Sequence, residues 1–500
     1  MATKRVPERL VTTAVPDEAT AAQYDLVWGT EAPTGNAWTP RPWVHPSDRI
    51  EEAKAARKRV SRAAHAVFEP RPGRDPIAIL NEQEADRLQE LVPLRHARMA
   101  ESAFAYYRGT PAVMAFDLAN AAKTDIQVQI CGDAHLSNFG LFASPERALV
   151  FDANDFDETL PGPWEWDVKR LAASMVIAAR ANGFSAGDSR KATMAAVRGY
   201  RQWMGRFAGM PLMDIWYSPI TDASIRDAAE ASGMLSGGGA EVSRRRGAIE
   251  AVFSKARRRD GMKAFESLTA VVGGRRVILD DPPVITHIEV PGGAAGLERT
   301  FSDYRATMPE NRRAFLERYR FVDFALKVVG VGSVGTRCFV VLLEGRDEND
   351  ALILQAKEAT SSVLEPYLEA STHGNHGQRV VVGQQQMQAA SDIYLGWTRG
   401  PGGRDFYFRQ LWDMKGSVDT TTLRPMGLGF YGGLCGWALA RAHARTGDAV
   451  AIAAYLGTSD KFDGAIADFA ETYADVNATD HAAYRAAIEA GTIEVPAPAA

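Results

Sequence analysis

Three cysteines in 500 residues, Cys131, Cys338 and Cys435, are too few, too scattered and odd in number for a disulfide framework or a zinc spacing, which points to a reducing cytoplasm. The chain also lacks any run of about eighteen apolar residues. Its N-terminus, from Met1 to about Pro42, is polar and carries no apolar stretch of signal-peptide length, so neither membrane spanning nor secretion is expected. Excess charge of one sign is missing as well. Lys and Arg number 57 against 62 Asp and Glu, a formal charge of −5, without the basic surplus that marks a nucleic-acid binder. The basic runs Arg244-Arg245-Arg246 and Arg257-Arg258-Arg259 sit among Gly, Ser and Glu and read as solvated faces. No internal repeat is found. What is left is an ordinary globular composition with material for two or three domains.

Hydrophobic spacing divides the chain into helical, β and helical stretches. Residues 1–45 read as a loosely ordered arm and 491–500 as a tail. From Pro76 to about Ala122 apolar residues recur at helical intervals, followed by short strands at 126–130 and 149–151. Helices are expected at 167–182, 189–207 and 310–319. Strands are expected at 325–329, 337–343, 351–356, 380–388 and 405–411, and helices return from Gly432, first at 434–445. The resulting division is 46–320 and 413–490 helical, with 321–412 a small β segment between them.

Chemistry concentrates in two places. The first is Gly132-Asp133-Ala134-His135-Leu136-Ser137-Asn138, followed by Asn154-Asp155-Phe156-Asp157. An Asp and an Asn five residues apart on a tight loop, with a further Asp at a strand end, can orient a hydroxyl and ligate magnesium. Asp133 is the expected hydroxyl-orienting base, Asn138 and Asp155 the metal ligands, and Asp152 and Asp157 rivals of Asp155. N-capping and Asx-turn duty is the alternative for any of these acids alone. His135 has no second His near it in sequence and reads as a hydrogen-bonding loop residue.

The second place is Gly330-Val331-Gly332-Ser333-Val334-Gly335. A strand-like run follows it, not a helix, which argues against a dinucleotide fingerprint, and no Lys precedes Thr336 as a P-loop requires. A glycine connection between two strands, able to approach phosphates through bare backbone, remains. Lys357, at the end of the next expected strand, is placed to neutralise nucleotide phosphates if a carboxylate on a following helix, Glu365 or Glu369, holds it.

Gly132-Asp133, Asn138, Asp155-Phe156 and Trp166-Asp167-Val168 together resemble the aminoglycoside phosphotransferase and choline kinase group. The twelve-residue step from Asp155 to Asp167 is what selects Asp155 over its neighbours, and the resemblance implies that Asp167 ties the loop down from a helix start. Cys131 departs from the His that precedes Gly-Asp in many relatives. Over nearly its whole length the chain is also similar to a bacterial family known as domain of unknown function 2252, through phrases such as Tyr107-Arg108-Gly109, Gly132–Gly140, Pro161–Lys169, Lys357-Glu358-Ala359 and Leu411–Gly416. These resemblances imply an α+β, protein-kinase-like fold of two lobes, a mostly helical large one and a small antiparallel β one. The order of parts is reversed, as after circular permutation, with the acidic loop ahead of the glycines. In such a fold 409–414 is the hinge under the adenine, with Gln410 and Leu411 offering backbone hydrogen bonds, and Arg108 and Lys415 are candidate substrate or phosphate contacts.

The expected activity is ATP- and magnesium-dependent phosphoryl transfer to a hydroxyl of an unidentified small molecule. Gly330, Gly332, Ser333, Gly335, Lys357, Glu365, Gln410 and Leu411 would hold the nucleotide. Nucleotidyl transfer, a protein acceptor, a nucleotide-binding pseudoenzyme and a metal-dependent hydrolase built on His135 are the competing readings.

Overall fold

The computed structural model describes residues 44–496, apart from 260, 274, 290–292, 329, 348–349 and 412. The expected arm therefore lies almost wholly outside the described residues, as do the last four residues of the expected tail. Residues 45 onward form one compact unit of mixed α and β structure with small antiparallel sheets.

Its helical part is organised on helix Trp164–Ala181, nearly every side chain of which is buried. Helices Ala186–Phe207, Pro425–Thr446 and Lys461–Glu489 pack around it. Small residues allow very close approach. A Cβ on Gly436 would lie 2.2 Å from the Ala196 carbonyl oxygen, and one on Gly199 would lie 2.7 Å from that of Gly433. Gly436→Ala is therefore expected to force the two helices apart and destabilise the fold by about 1–3 kcal/mol, read as a lower denaturation midpoint; an unchanged midpoint would contradict this packing.

The largest sheet has six strands, in spatial order Ile285–Thr286, Arg320–Lys327, Cys338–Glu344, Ala351–Ala359, Asp405–Gln410 and Gly396–Arg399, every neighbouring pair antiparallel. Alternation gives each strand two destinations. On Ala351–Ala359, for example, Ala356 joins the apolar cluster of Tyr304, Phe406 and Phe408, whereas Lys357 and its cross-strand partner Tyr407 face the acidic residues of the helical part. Two smaller pairings carry the acidic loops: Gln127–Ile130 with Leu160–Pro163, and Phe139–Ala143 with Leu149–Ala153. Among the described residues no helix is long and apolar enough to cross a membrane.

One expected strand is a helix. Residues His376–Met387 are α-helical, although 380–388 reads as a strand through its β-branched Val380-Val381-Val382 run. Asn375 caps this helix by accepting from the Gln378 N–H at 3.1 Å, and Val380, Val381, Gln384 and Met387 are buried at helical spacing. Gly383 lets it come close: a Cβ there would lie 2.4 Å from Thr159 Cγ2. Strands Phe139–Ala143 and Gly396–Arg399 and the hairpin of Thr269–Val272 with Arg275–Ile278 are present without a strand having been expected there.

Candidate functional site

Strand Gln127–Ile130 ends against the start of helix Trp164–Ala181, and there Asp167 takes hold of the chain. Its carboxylate accepts from the Cys131 N–H at 2.7 Å and from the Gly132 N–H at 2.9 Å. His443 Nε2 lies 3.2 Å from the same carboxylate, and its Nδ1 is 3.0 Å from the Tyr200 hydroxyl, so the tether is itself braced by two other helices. Gly132 has φ +82°, and a Cβ would meet the Glu158 carbonyl at 2.6 Å. Only glycine makes this turn without strain.

The turn delivers Asp133 to a cleft of about 480 Å³. One helical turn beyond Asp167, Arg170 donates from Nε at 2.9 Å and lies with Nη2 at 2.8 Å from the same Asp133 oxygen, Oδ1. The other oxygen is 3.6 Å from His135 Nε2. Burial pushes the Asp133 carboxyl up to about 7 against the pull of Arg170, and burial drives the His135 imidazole well below its ordinary value, leaving it neutral. A carboxyl poised near neutrality and fixed through one oxygen has its second oxygen free to receive a proton.

Asn138 closes the loop from within. Its Nδ2 donates to the Asp133 and Asp155 carbonyls, both at 3.0 Å, while its Oδ1 is buried without a hydrogen-bond partner. An orphaned acceptor of this kind is costly unless something else engages it. Beside it on the cleft wall stands Asp155, 42% exposed; burial would raise its pKa, but Lys357 and Arg409 overcome that and hold it at about 2. An amide oxygen and an ionised carboxylate are the hard donors magnesium takes, with waters and phosphate oxygens filling the remaining positions. Among the described residues no three His, Cys, Asp or Glu side chains converge into a metal cluster of their own.

The rivals of Asp155 have other occupations. Asp152 is buried in an ion pair with Arg441. Asp157 is bound by the ammonium of Lys357 and by the Tyr407 hydroxyl at 2.8 Å. Lys357, 2% exposed, lines the cleft with its Nζ 3.5 Å from Asp155; burial opposes its charge, but the two carboxylates raise its pKa well above the ordinary value.

The carboxylate expected to hold Lys357 is thus misassigned. Glu365 sits in a turn and accepts from the Ser362 N–H at 3.4 Å, Glu369 is exposed, and neither lies on a helix. Asp157 takes that place. Its backbone is fixed by Arg379, whose Nη2 donates to the Asp157 carbonyl at 2.7 Å from the helix misread as a strand.

Of the glycine-rich segment, Gly330, Gly332 and Ser333 line the cleft, with a short 3-10 turn at Val331–Ser333. They lie beside Arg108, whose guanidinium is 3.7 Å from where a Gly330 Cβ would stand and whose Nε is buried without a partner. Gly335 points elsewhere. It has φ +87°, its carbonyl accepts from the Leu88 N–H at 2.8 Å, and a Cβ would be 3.1 Å from Arg87 Cβ. Gln410 and Leu411 also line the cleft, but their N–H groups are spent inside the protein, on the Asp392 carboxylate and, at 3.0 Å, on the Ile353 carbonyl. The hydrogen bonds expected from them to a base cannot be donated by these two groups.

Three further cations stand at the site: Lys415, an expected phosphate contact, Arg409, expected only as part of the hinge, and Arg170, which the sequence reading does not include. Arg409 is bound by the Gln355 Oε1 at 2.8 Å and the Asn154 carbonyl at 3.0 Å. Lys415 lines the cleft, its pKa lowered to about 8 by burial and by Arg409 despite Asp155. Arg170 was legible in principle, because a cation three residues after a helix-start Asp lies on the same face.

A family model described as an uncharacterized protein conserved in bacteria matches residues 87–487, a span that includes every cleft residue named above. No curated protein and no solved structure matches the chain.

Proposed function

The chain belongs to the DUF2252 family, whose description names no chemistry, and from its cleft we propose that it is an ATP- and magnesium-dependent phosphotransferase acting on a hydroxyl of a small molecule. The observation that carries this reading is the convergence in one cleft of Asp133, Asn138 and Asp155 from the acidic loops with Lys357, Gly330, Gly332 and Ser333 from the six-stranded sheet and its glycine-rich connection, Lys357 lying 3.5 Å from Asp155. Such a division of labour is what phosphoryl transfer needs: little covalent chemistry, and much positioning and charge compensation. We read the architecture accordingly as kinase-like and two-lobed, with the order of its parts circularly permuted, acting in a reducing cytoplasm.

On this reading the free oxygen of Asp133 receives the proton of the acceptor hydroxyl while Arg170 keeps the carboxylate oriented. Asn138 Oδ1 and Asp155 would hold magnesium, which would supply charge neutralisation at the phosphates. Lys357 is kept in the cleft by Asp157 and brings an ammonium to the phosphate oxygens, and the backbone of Gly330 and Gly332 leaves room for them. Arg108 and Lys415 add positive charge on the cleft wall. Incubation of the full chain with ATP, magnesium and a panel of hydroxyl metabolites, followed by mass spectrometry, tests the proposal. A product heavier by one phosphoryl group supports it; a nucleotidyl adduct would replace it with nucleotidyl transfer.

A further inference from the structure

A second hollow, of about 520 Å³, lies outside the cleft and adjoins it at two places: on strand Phe139–Ala143, Phe142 and Ala143 line the cleft and Leu141 with its cross-strand partner Phe151 the hollow, and farther along the chain Gly416 and Ser417 line the cleft and Val418 the hollow. Its volume is that of a small-ligand site. The walls come from helix Ala240–Arg257, through Ile249, Val252 and Phe253, and from the start of helix Pro425–Thr446, through Met426, Phe430 and Leu434. Val252 and Phe430 are only half-buried and Met426 is 54% exposed, so apolar surface is left facing the hollow.

Its rim differs from its walls. Arg244, Arg245 and Arg424 line it with a single carboxylate, Glu241, which they share: Arg244 is in direct contact with it, Arg245 is at 3.3 Å and Arg424 at 4.0 Å. Three guanidiniums against one carboxylate leave a net positive rim. Arg244 and Arg424 are 68% and 78% exposed, so their guanidiniums are within reach of an arriving anion. The basic run at 244–246 is therefore more than a solvated face, because two of its members stand at the mouth of an apolar hollow.

We infer that this hollow binds a single-chain amphiphile with an anionic head, a fatty carboxylate, its chain between helices Ala240–Arg257 and Pro425–Thr446 and its head among Arg244, Arg245 and Arg424. An apolar body is required by the walls, and a charged head of negative sign by the rim. A cationic amphiphile of the same chain would bring like charge to three guanidiniums. The inference is independent of phosphoryl transfer in the neighbouring cleft.

Calorimetric titration of the full chain with dodecanoate, dodecanol and dodecyltrimethylammonium, each below its micelle concentration, tests it. Dodecanoate is expected to saturate one site per chain, dodecanol to bind about tenfold or more weakly, a loss of about 1.4 kcal/mol, and the cation more weakly still. Ala248→Trp, at an exposed position on the wall, fills the hollow and should abolish binding, with circular dichroism and melting confirming that the variant is folded. The pair Arg244→Glu and Arg424→Glu should weaken dodecanoate about tenfold without affecting dodecanol. No saturable dodecanoate binding, equal binding of the cation, or full binding by a folded Ala248→Trp protein would overturn the inference.

Discussion

Asp133→Asn is expected to lower turnover by about 10²–10⁴-fold, the usual contribution of a positioned general base, while leaving magnesium-nucleotide binding nearly unchanged. The substitution keeps the shape of the side chain and its oxygen toward Arg170 but removes the basic one. The pH profile gives an independent reading of the same group. Burial holds Asp133 at about 7, and only its ionised form accepts a proton, so the rate should fall tenfold for each pH unit below that value. Arg170 pulls this pKa down, so Arg170→Gln should move the ascending limb to higher pH. A limb that stays in place in the Arg170 variant, or an Asp133→Asn protein of normal rate, would assign the proton to another group.

Lys357→Met should have the second largest effect, on stability as well as on activity. The ammonium is buried between Asp155 and Asp157, and its removal leaves two neighbouring carboxylates without their shared cation. A fully buried pair broken on one side costs about 3–5 kcal/mol; because Asp155 and Asp157 are 42% and 29% exposed, about 2–4 kcal/mol is expected here. The sign of the pH dependence follows from the shifts. Lys357 has a raised pKa, so its contribution is complete below the ordinary lysine value and is lost only as pH climbs through the folded one. Asp155, held at about 2, contributes above the ordinary carboxylate value and loses that contribution as pH falls toward 2. The gap between wild type and variant should therefore be flat across neutral pH and narrow in acid, where the stranded carboxylates protonate. Adding Asp157→Asn to the variant should restore part of the loss. Denaturant titration at neutral pH checks this, and equal stability of Lys357→Met and wild type would mean that the cluster is solvated.

How much of this was readable in the sequence depends on how local each feature is. Asp133, Asn138 and Asp155 meet because a glycine turn, a short 3-10 turn and the single hairpin of Phe139–Ala143 with Leu149–Ala153 bring them together within a short stretch of chain. Asp167 lies on the first turn of the following helix, close enough for its spacing to be informative. The partner of Lys357 was not readable in this way. Asp157 is 200 residues away, and nothing in the sequence around Lys357 says that the acid it meets comes from there and not from Glu365. Residues 380–388 were misread because local β-branched preference opposes a capped, buried helix, and tertiary packing against Thr159 decides the outcome. The spent N–H groups of Gln410 and Leu411 are likewise invisible in sequence, since Asp392 and Ile353 reach them only through the fold.

In the proposed site a magnesium nucleotide is held by Asn138 and Asp155 through the metal and by Lys357 through its phosphates. Calorimetric titration of the full chain with ATP, with magnesium and with chelator in its place, tests it most directly. Saturable binding to one site that depends on magnesium, is lost in Asp155→Asn and is kept in Asp133→Asn is the expected result. Absence of binding to the folded wild-type chain, or binding indifferent both to magnesium and to Asp155, would contradict it.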